Sequence, residues 1–273
     1  MPTKKITAWE TITIARNPLR ATSLDYIQYI FDDFIELHGD RAYKDDKSIV
    51  CGLASINNKT YTVIAEQQGR NTKENIERNF GMPNPESYRK ALRFMKQAEK
   101  FNRPIITFVD TKGAYPGIGA EERGQGEAIA RNIMEMFNVK VPILVFIIGE
   151  GSSGGALAVA VGDKVYMLEN SVYSILSPEG YASILWKDSS RVQEAAEKMK
   201  MTAQDLFEMG IIDKIIKEPV VSLNPKVFDI KKISECIRKA IIKEINELEK
   251  KETSVLLQER YDKFRKMGTP IYN

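Results

Sequence analysis

The chain has 273 residues, with 40 lysines and arginines against 37 aspartates and glutamates, and 43% of its residues are hydrophobic. This length can bury a sizeable core, and a net charge of +3 gives no reason to expect a nucleic-acid partner. Two cysteines and one histidine are too few for a disulfide framework or a zinc cluster, so we expect no bound metal.

The N-terminal third of the chain contains a helical segment, a hairpin and a second helix. Residues 1–45 are predicted to form a helical N-terminal extension, because apolar side chains recur at helical spacing over Tyr26–Phe34. Two strands follow, Ser48–Ile56 and Thr60–Glu66, and the Asn-Asn-Lys segment between them is typical of a hairpin turn. The apolar residues of Glu86–Phe101 line one face of a predicted helix.

The central segment repeats one pattern twice, a short buried strand, a glycine-rich turn and a helix. The first copy has the strand Pro104–Asp110 and the turn Thr111–Gly117. The second has the strand Pro142–Ile148 and the turn Gly149–Gly155, and it continues into a short helix over Ala156–Val161. Strands that alternate with helices predict an α/β fold with a parallel sheet covered on both faces.

The last third of the chain is predicted to be mostly helical. One further short strand is expected at Asp213–Glu218, and a long amphipathic helix over residues 229–250. Residues 251–273 have the composition of a polar C-terminal tail. The main domain is therefore predicted over residues 46–250.

The apolar runs of this sequence are short. The longest, such as Val141–Ile148, fall far below the roughly 20 residues that cross a bilayer. The N-terminal residues lack the apolar core of a signal peptide. We therefore expect a cytoplasmic protein with no membrane partner.

Two adjacent glycines, Gly154 and Gly155, stand where the second turn meets its helix. The first N–H groups of a helix have no intrahelical partners and favour negative charge, and glycine lets an oxygen approach the backbone closely. These donors suit an oxyanion hole for charge that develops on a carbonyl oxygen. The plainer interpretation is that the glycines only permit a tight turn, but the recurrence of the pattern in both units favours the oxyanion hole.

The second turn also allows a different interpretation. Residues 149–154 match the G-x-G-x-x-G pattern of dinucleotide-binding turns, and Glu169 follows at about the distance of a ribose-binding acid. The short predicted helix and the lack of further βα units count against it. Glu121 and Glu122 are a possible pair of catalytic carboxylates, although two acids in a helix's first turn have an equally good structural explanation.

Several long motifs occur in order between residues 8 and 219. They are Ala8–Glu10, Gly39–Tyr43, Gly69–Arg70, Thr72–Glu74, Asn79–Pro83, Tyr88–Leu92, Gly113–Gly117, Gly119–Gln125, Gly149–Gly151, Ser153–Leu157, Ser177–Gly180 and Ile184–Trp186. On these residues the chain resembles the carboxyltransferase α subunits of bacterial multisubunit acetyl-CoA carboxylase, a family of the crotonase superfamily. Lys112 departs from the family pattern, which usually has Pro there, and Ser152 replaces a usual Gly.

The resemblance implies an α/β, crotonase-like ββα superhelix with helical N- and C-terminal extensions. It implies an enzyme that moves the carboxyl group of carboxybiotin, held on the biotin carboxyl carrier protein, to acetyl-CoA, which gives malonyl-CoA for fatty acid synthesis. It also implies a zinc-ribbon-bearing β subunit as partner, an α2β2 heterotetramer, and biotin carboxylase in the full complex. A related activity on another acyl-CoA, such as propionyl-CoA, stays open.

The resemblance also assigns roles to residues of the glycine-rich turns. Gly154 and Gly155 match the pair whose N–H groups stabilise the ureido oxygen of biotin. No cofactor is expected to be bound covalently by this chain, since carboxybiotin and acetyl-CoA are substrates. The candidate substrate-binding residues are Gly113, Ala114, Tyr115, Arg123 and Arg70.

Overall fold

In the computed structural model, the described residues are 6–223 and 226–268. The strands are β1 (Asp33–Leu37), β2 (Ile49–Ile56), β3 (Lys59–Glu66), β4 (Ile105–Thr111), β5 (Ile143–Ser152), β6 (Lys164–Leu168), β7 (Val172–Ser174), β8 (Lys214–Ile216), β9 (Val220–Leu223) and β10 (Lys226–Phe228). The helices are α1 (Ala8–Ala15), α2 (Ser23–Ile30), α3 (Thr72–Glu77), α4 (Pro85–Lys100), α5 (Ile118–Glu122), α6 (Gln125–Asn138), α7 (Ser153–Leu157), α8 (Pro178–Tyr181), α9 (Val192–Met199), α10 (Ala203–Glu208), α11 (Ile230–Leu248) and α12 (Thr253–Lys266). Short 3₁₀ turns occupy Asn79–Gly81 and Ser189–Arg191, and a π-helical segment occupies Ala182–Trp186.

The main sheet has the strand order β1-β2-β3-β4-β5-β6-β8, and β7 pairs with the end of β5. Strands β1 to β3 are antiparallel, whereas β3, β4, β5, β6 and β8 run parallel. The predicted hairpin of β2 and β3 is confirmed, with Asn57 and Asn58 at φ of 51° and 63°. Two positive φ values in a two-residue loop match the right-handed twist of the strands.

The parallel centre of the sheet lies between two hydrophobic cores. Strands β4 and β5 are buried along their whole length, and successive side chains point to opposite faces. One core contains Val109 of β4 together with Phe94 of α4. The other contains Phe108 of β4 and Ile237 of α11, and the rings of Phe108 and Phe146 stack 5.8 Å apart. The predicted α/β class with a parallel sheet is thus confirmed.

The N-terminal region departs from the predicted helical extension. Helix α2 ends at Ile30, and β1 begins three residues later and pairs with β2, with Phe34 opposite Ala54. The helical spacing predicted one continuous helix through Phe34. Without β1, strand β2 would lie at the edge of the sheet with a row of unpaired N–H and C=O groups, and pairing with them outweighs the local helical pattern.

The C-terminal region is also more ordered than its composition predicted. In its described part, the predicted polar tail is the helix α12, and Arg260 on this helix is only 1% exposed. The Arg260 guanidinium donates to both carboxylate oxygens of Asp163 at 2.8 Å and to the carbonyls of Met136 and Val139 at 2.8 and 2.6 Å. A buried arginine anchors this helix, so polar composition alone does not indicate a free tail. Residues 269–273 lie outside the described residues.

Candidate functional site

Strand β5 runs through most of the segment that the sequence predicted as the second turn. Residues 149–152 are extended, because β7 pairs in parallel with Glu150, Gly151 and Ser152. A Cβ on Gly149 would lie 2.2 Å from Asp110 Oδ1, so glycine is needed here for a buried carboxylate to approach the strand. The G-x-G-x-x-G segment therefore forms no phosphate-binding turn, which argues against the dinucleotide interpretation.

The turn into the helix is concentrated at one residue, Ser153. Its φ is +59°, a left-handed conformation that is uncommon for a residue with a side chain. Helix α7 then begins at once, and Ser152 makes no side-chain cap. Within the described part of the chain, the N–H groups of Gly154 and Gly155 donate to no backbone or side-chain acceptor. Gly154 is partly exposed, whereas Gly155 is buried against the first turn.

The two glycine-rich turns meet at Gly155. A Cβ placed on this residue would lie 2.5 Å from the backbone nitrogen of Ala114 and 2.7 Å from the carbonyl carbon of Gly113. Gly113 itself has a φ of +127°. The structure therefore brings together three residues that were predicted from separate motifs, Gly113, Ala114 and Gly155.

A network of hydrogen bonds holds the first turn in place. The Thr111 hydroxyl donates to the carbonyl of Gly81 at 2.6 Å and accepts the N–H of Gly113 at 3.1 Å. The Gln125 side-chain amide donates to the carbonyl of Tyr115 at 3.0 Å, and the N–H of Tyr115 donates to the carbonyl of Pro83 at 3.0 Å. The backbone of this turn is thus determined by neighbouring elements as well as by its own sequence.

A cavity of about 950 Å³ opens beside Gly154. Its walls are mainly apolar, and its charged lining residues are the exposed Lys198 and Lys200. The other lining residues are Ser153, Leu157, Tyr173, Ser174, Ile175, Leu176, Tyr181, Ile184, Leu185, Met199, Leu206, Met209 and Ile211. Sequence reasoning did not predict these walls, since they come from segments distant in the chain. The one available signal was the short apolar run Ile184–Trp186, of which Ile184 and Leu185 prove to be exposed in the structure.

A family model described as acetyl co-enzyme A carboxylase carboxyltransferase-like matches residues 2–268. The chain belongs to this carboxyltransferase family. It is 59% identical over 270 residues to a protein of Clostridium acetobutylicum named acetyl-coenzyme A carboxylase carboxyl transferase subunit alpha, with 99% of this chain and 97% of the relative covered. A protein of the same name from Clostridium botulinum is 61% identical over 263 residues, covering 96% and 94%.

Another relative of this carboxyltransferase family combines two subunits in one chain. The protein named subunits beta/alpha of Natranaerobius thermophilus is 60% identical over 265 residues, which are 97% of this chain and 43% of that protein. Among solved structures, a transcarboxylase 12S matches with a TM-score of 0.67 and 19% identity, over 88% of this chain and 45% of its own. A Pseudomonas malonate decarboxylase hetero-tetramer in complex with coenzyme A matches with a TM-score of 0.61 and 14% identity. The match covers 79% of this chain and 85% of that one. These structures support the crotonase-like carboxyltransferase fold.

The two predicted arginines of this carboxyltransferase chain lie apart from the cavity beside Gly154. Arg123 donates to both carboxylate oxygens of the buried Glu86, at 3.2 and 3.1 Å, and its guanidinium stands 5.0 Å above the ring of Tyr43. The hydrogen bonds to Glu86 raise the pKa of Arg123. Arg70 forms an ion pair with Asp25 beside a separate cavity of about 380 Å³. Both guanidiniums are thus engaged by carboxylates of the chain itself.

Buried carboxyl groups lie behind the end of β5. Burial raises the pKa of Asp110 to about 6, although hydrogen bonds from the Glu150 N–H and the Gln68 amide oppose the shift. Burial also raises the pKa of Glu66 well above its usual value. Glu150 is paired with Arg16, which donates from Nη2 at 2.6 Å and from Nε at 3.0 Å.

The remaining acidic candidates do not converge on a site. Glu121 and Glu122 are exposed at the end of α5 and do not line the cavity. The carboxylate of Glu169 accepts hydrogen bonds from Lys217 and from the N–H of Glu218. Within residues 6–223 and 226–268, no cluster of three or more His, Cys, Asp or Glu side chains is placed to hold a metal ion. Among those residues, no helix combines the length and apolarity needed to cross a bilayer.

Proposed function

We propose that this chain acts as the α subunit of an acetyl-CoA carboxylase carboxyltransferase. It would move the carboxyl group of carboxybiotin, on the biotin carboxyl carrier protein, to acetyl-CoA and so supply malonyl-CoA for fatty acid synthesis. The observation that carries the proposal is the pair of unpartnered N–H groups at Gly154 and Gly155, the first of which borders the large apolar cavity. The identity of 59% and 61% to proteins named as α subunits, over nearly the full length of this chain, supports the same conclusion.

The proposed role of Gly154 and Gly155 is to stabilise negative charge with their backbone N–H groups. As carbon dioxide leaves carboxybiotin, negative charge develops on the ureido oxygen, and two N–H donors aimed at that oxygen stabilise it without reorganising. The mainly apolar walls would strengthen these hydrogen bonds once a bound substrate displaces water from the cavity. The biotin nitrogen can then take the methyl proton of acetyl-CoA, so the reaction needs no side-chain base from this chain.

The partner in this proposal is a carboxyltransferase β subunit that bears a zinc ribbon. It would supply the second oxyanion hole, for the enolate of acetyl-CoA, in an α2β2 heterotetramer. The fused beta/alpha relative supports this pairing, because one chain there carries both parts. The biotin carboxyl carrier protein and biotin carboxylase would complete the assembly, in the cytoplasm.

Co-purification with a candidate β subunit, followed by an assay of malonyl-CoA-dependent carboxylation of free biotin, tests the proposal. We expect little activity from this chain alone and clear activity from the complex. The control is the same β subunit with an established α subunit. Activity in the control without activity in the test complex would contradict the proposal. Running malonyl-CoA beside methylmalonyl-CoA separates an acetyl-CoA enzyme from one specific for propionyl-CoA.

A further inference from the structure

We propose that Arg16 is a positioning residue that ties one wall of the cavity beside Gly154 to β5, the strand that leads into the proposed oxyanion donors of α7. The wall in question is residues 178–186, here named the wall segment, which comprises α8 and the π-helical segment. The inference rests on the proposed function, since it assigns Arg16 a role in how that cavity receives the biotin ring. Arg16 itself does not line the cavity.

The first half of the tie joins α1 to β5. The guanidinium of Arg16 donates from two nitrogens to the two carboxylate oxygens of Glu150, whose side chain is 3% exposed. Glu150 lies four residues before Gly154. A bidentate arginine–carboxylate pair has a fixed, planar geometry. Arg16 is therefore held in one orientation relative to the oxyanion donors.

The second half of the tie joins the same guanidinium to the wall segment. The free Nη1 of Arg16 donates to Glu179 Oε1 at 2.8 Å. Burial by itself would raise the pKa of Glu179, but the hydrogen bond and charge of Arg16 bring it below its usual value. Since Glu179 stands in the first turn of α8, Arg16 connects the start of the wall segment to β5.

Apart from the buried Pro178 and the packing of α8 against α9, the wall segment has few other attachments to the core. Ile184 and Leu185, which line the cavity, are 68% and 60% exposed, and within the π-helical segment only Ala182 is buried. Segments with so few buried apolar contacts open at low free-energy cost. One charge-assisted bridge, although Glu179 is itself 45% exposed, can therefore change how often the wall segment occupies the position described above.

Helix α1 is anchored well enough to serve as a fixed point. Its Ala8 and Ile12 pack in a small core with Ala196 and Met201, and the N–H of Ala8 donates to Glu197 at 2.7 Å. Displacing Arg16 therefore means disturbing a packed helix, whereas the part of the wall segment beyond α8 is largely exposed and can move at lower cost. The tie restrains the wall segment in preference to α1.

Glu179→Ala tests the tie without leaving the buried Glu150 unpaired. The matched control is Glu127→Ala, which breaks the exposed pair of Glu127 with Arg131 on α6. We expect tryptic cleavage after the exposed Lys187 to speed up about fivefold in Glu179→Ala and to stay unchanged in the control. In complex with the β subunit, Glu179→Ala should raise KM for biotin about fivefold and change kcat less than twofold.

Arg16→Lys gives a second, independent variant. Lysine keeps a charge opposite Glu150 but lacks the fork that reaches both carboxylates, so it should reproduce the effects of Glu179→Ala. The double variant should add nothing further, because both changes break one bridge. Wild-type cleavage and KM in both single variants would overturn the proposal. So would faster cleavage at every tryptic site together with a lower Tm, which would indicate general destabilisation.

The cleavage readout separates this inference from the proposed function. If the wild-type complex shows no biotin carboxylation, the proposed function fails, yet the cleavage rates still decide whether Arg16 restrains the wall segment. If the complex is active and neither variant differs from Glu127→Ala, the positioning role fails and the proposed function stands.

Discussion

At the scale of single residues, the candidate site depends on two positions where the chain has glycine and therefore no Cβ atom. Gly155 has backbone atoms of the first turn inside the volume that a Cβ would need, whereas Gly154 has only the Cγ2 of Ile129 at 3.3 Å. The two glycines therefore serve different purposes. Gly155 permits the contact between the two turns, and Gly154 keeps open the approach from the cavity.

Replacing Gly155 should damage both activity and stability. In Gly155→Ala the new methyl group would meet backbone that cannot move cheaply, so we expect a free energy of unfolding lower by about 1–3 kcal/mol. Misplaced N–H donors should lower kcat at least about a hundredfold. Urea unfolding and the biotin carboxylation assay measure the two effects. Gly126→Ala is the control, since nothing lies within 4 Å and a helical alanine should stabilise α6 by up to about 1 kcal/mol.

The buried carboxyl of Asp110 predicts a pH dependence of stability. Because its pKa rises from 3.8 in the unfolded chain to about 6, the folded state holds more protons between those values. The free energy of unfolding contributed by this group therefore falls as pH rises from about 4 to 6. Asp110→Asn removes that slope, so between pH 4 and 7 the variant should gain up to about 3 kcal/mol relative to wild type. Parallel slopes for both proteins in urea titrations would contradict this assignment.

The strand-to-helix junction at Gly154 and Gly155 could be predicted from the sequence, because two adjacent glycines after a buried strand have a local structural meaning. Their role as oxyanion donors stays a prediction. The positions of Arg123 and Arg70 could not be predicted in the same way. Both are close in sequence to glycine-rich motifs, but each contacts a carboxylate from another element, Glu86 or Asp25. Sequence proximity does not tell which of several acids an arginine will meet after folding.

At the scale of elements, local pattern predicted most of the sheet. Three features have a hydrophobic pattern that fits only one kind of element. They are the continuous apolar strands β4 and β5, the hairpin of β2 and β3, and the long helix α11. The exceptions depend on distant partners. Strand β1 forms because the edge of β2 would otherwise be unpaired, and β5 extends to Ser152 because β7 pairs with its end.

Helix α12 provides the clearest test at this scale, because a buried ion pair anchors it. Arg260→Ala would leave the carboxylate of Asp163 without its bidentate partner inside the protein. Removing one member of such a pair typically costs about 3–5 kcal/mol, so we expect a large drop in urea midpoint. Arg265→Ala, on an exposed site of the same helix, should change the midpoint little. Equal effects of the two variants would mean that α12 contributes no buried anchor.

At the scale of the whole molecule, stability should be highest at the sheet centre and lowest at the cavity wall. Strands β4 and β5 are buried throughout and hydrogen-bonded on both sides. Their amides should exchange with solvent only through global unfolding, whereas amides of residues 178–191 should exchange through local opening. Hydrogen exchange followed by mass spectrometry separates these regimes. Comparable protection of both regions would contradict the distribution described here.

The hydrogen-bond network around Thr111 has a consequence for the position next to it. Lys112 is exposed, while Thr111 and Gln125 hold the backbone on either side of it. A proline ring is therefore not required for rigidity at this corner, because hydrogen bonds from neighbouring elements already restrain the backbone that a pyrrolidine ring would restrain locally. Position 112 can therefore carry the cationic side chain of a lysine at the molecular surface. Neutralising Lys112 should weaken the long-range attraction of anionic molecules while the adjacent peptide units keep their orientation.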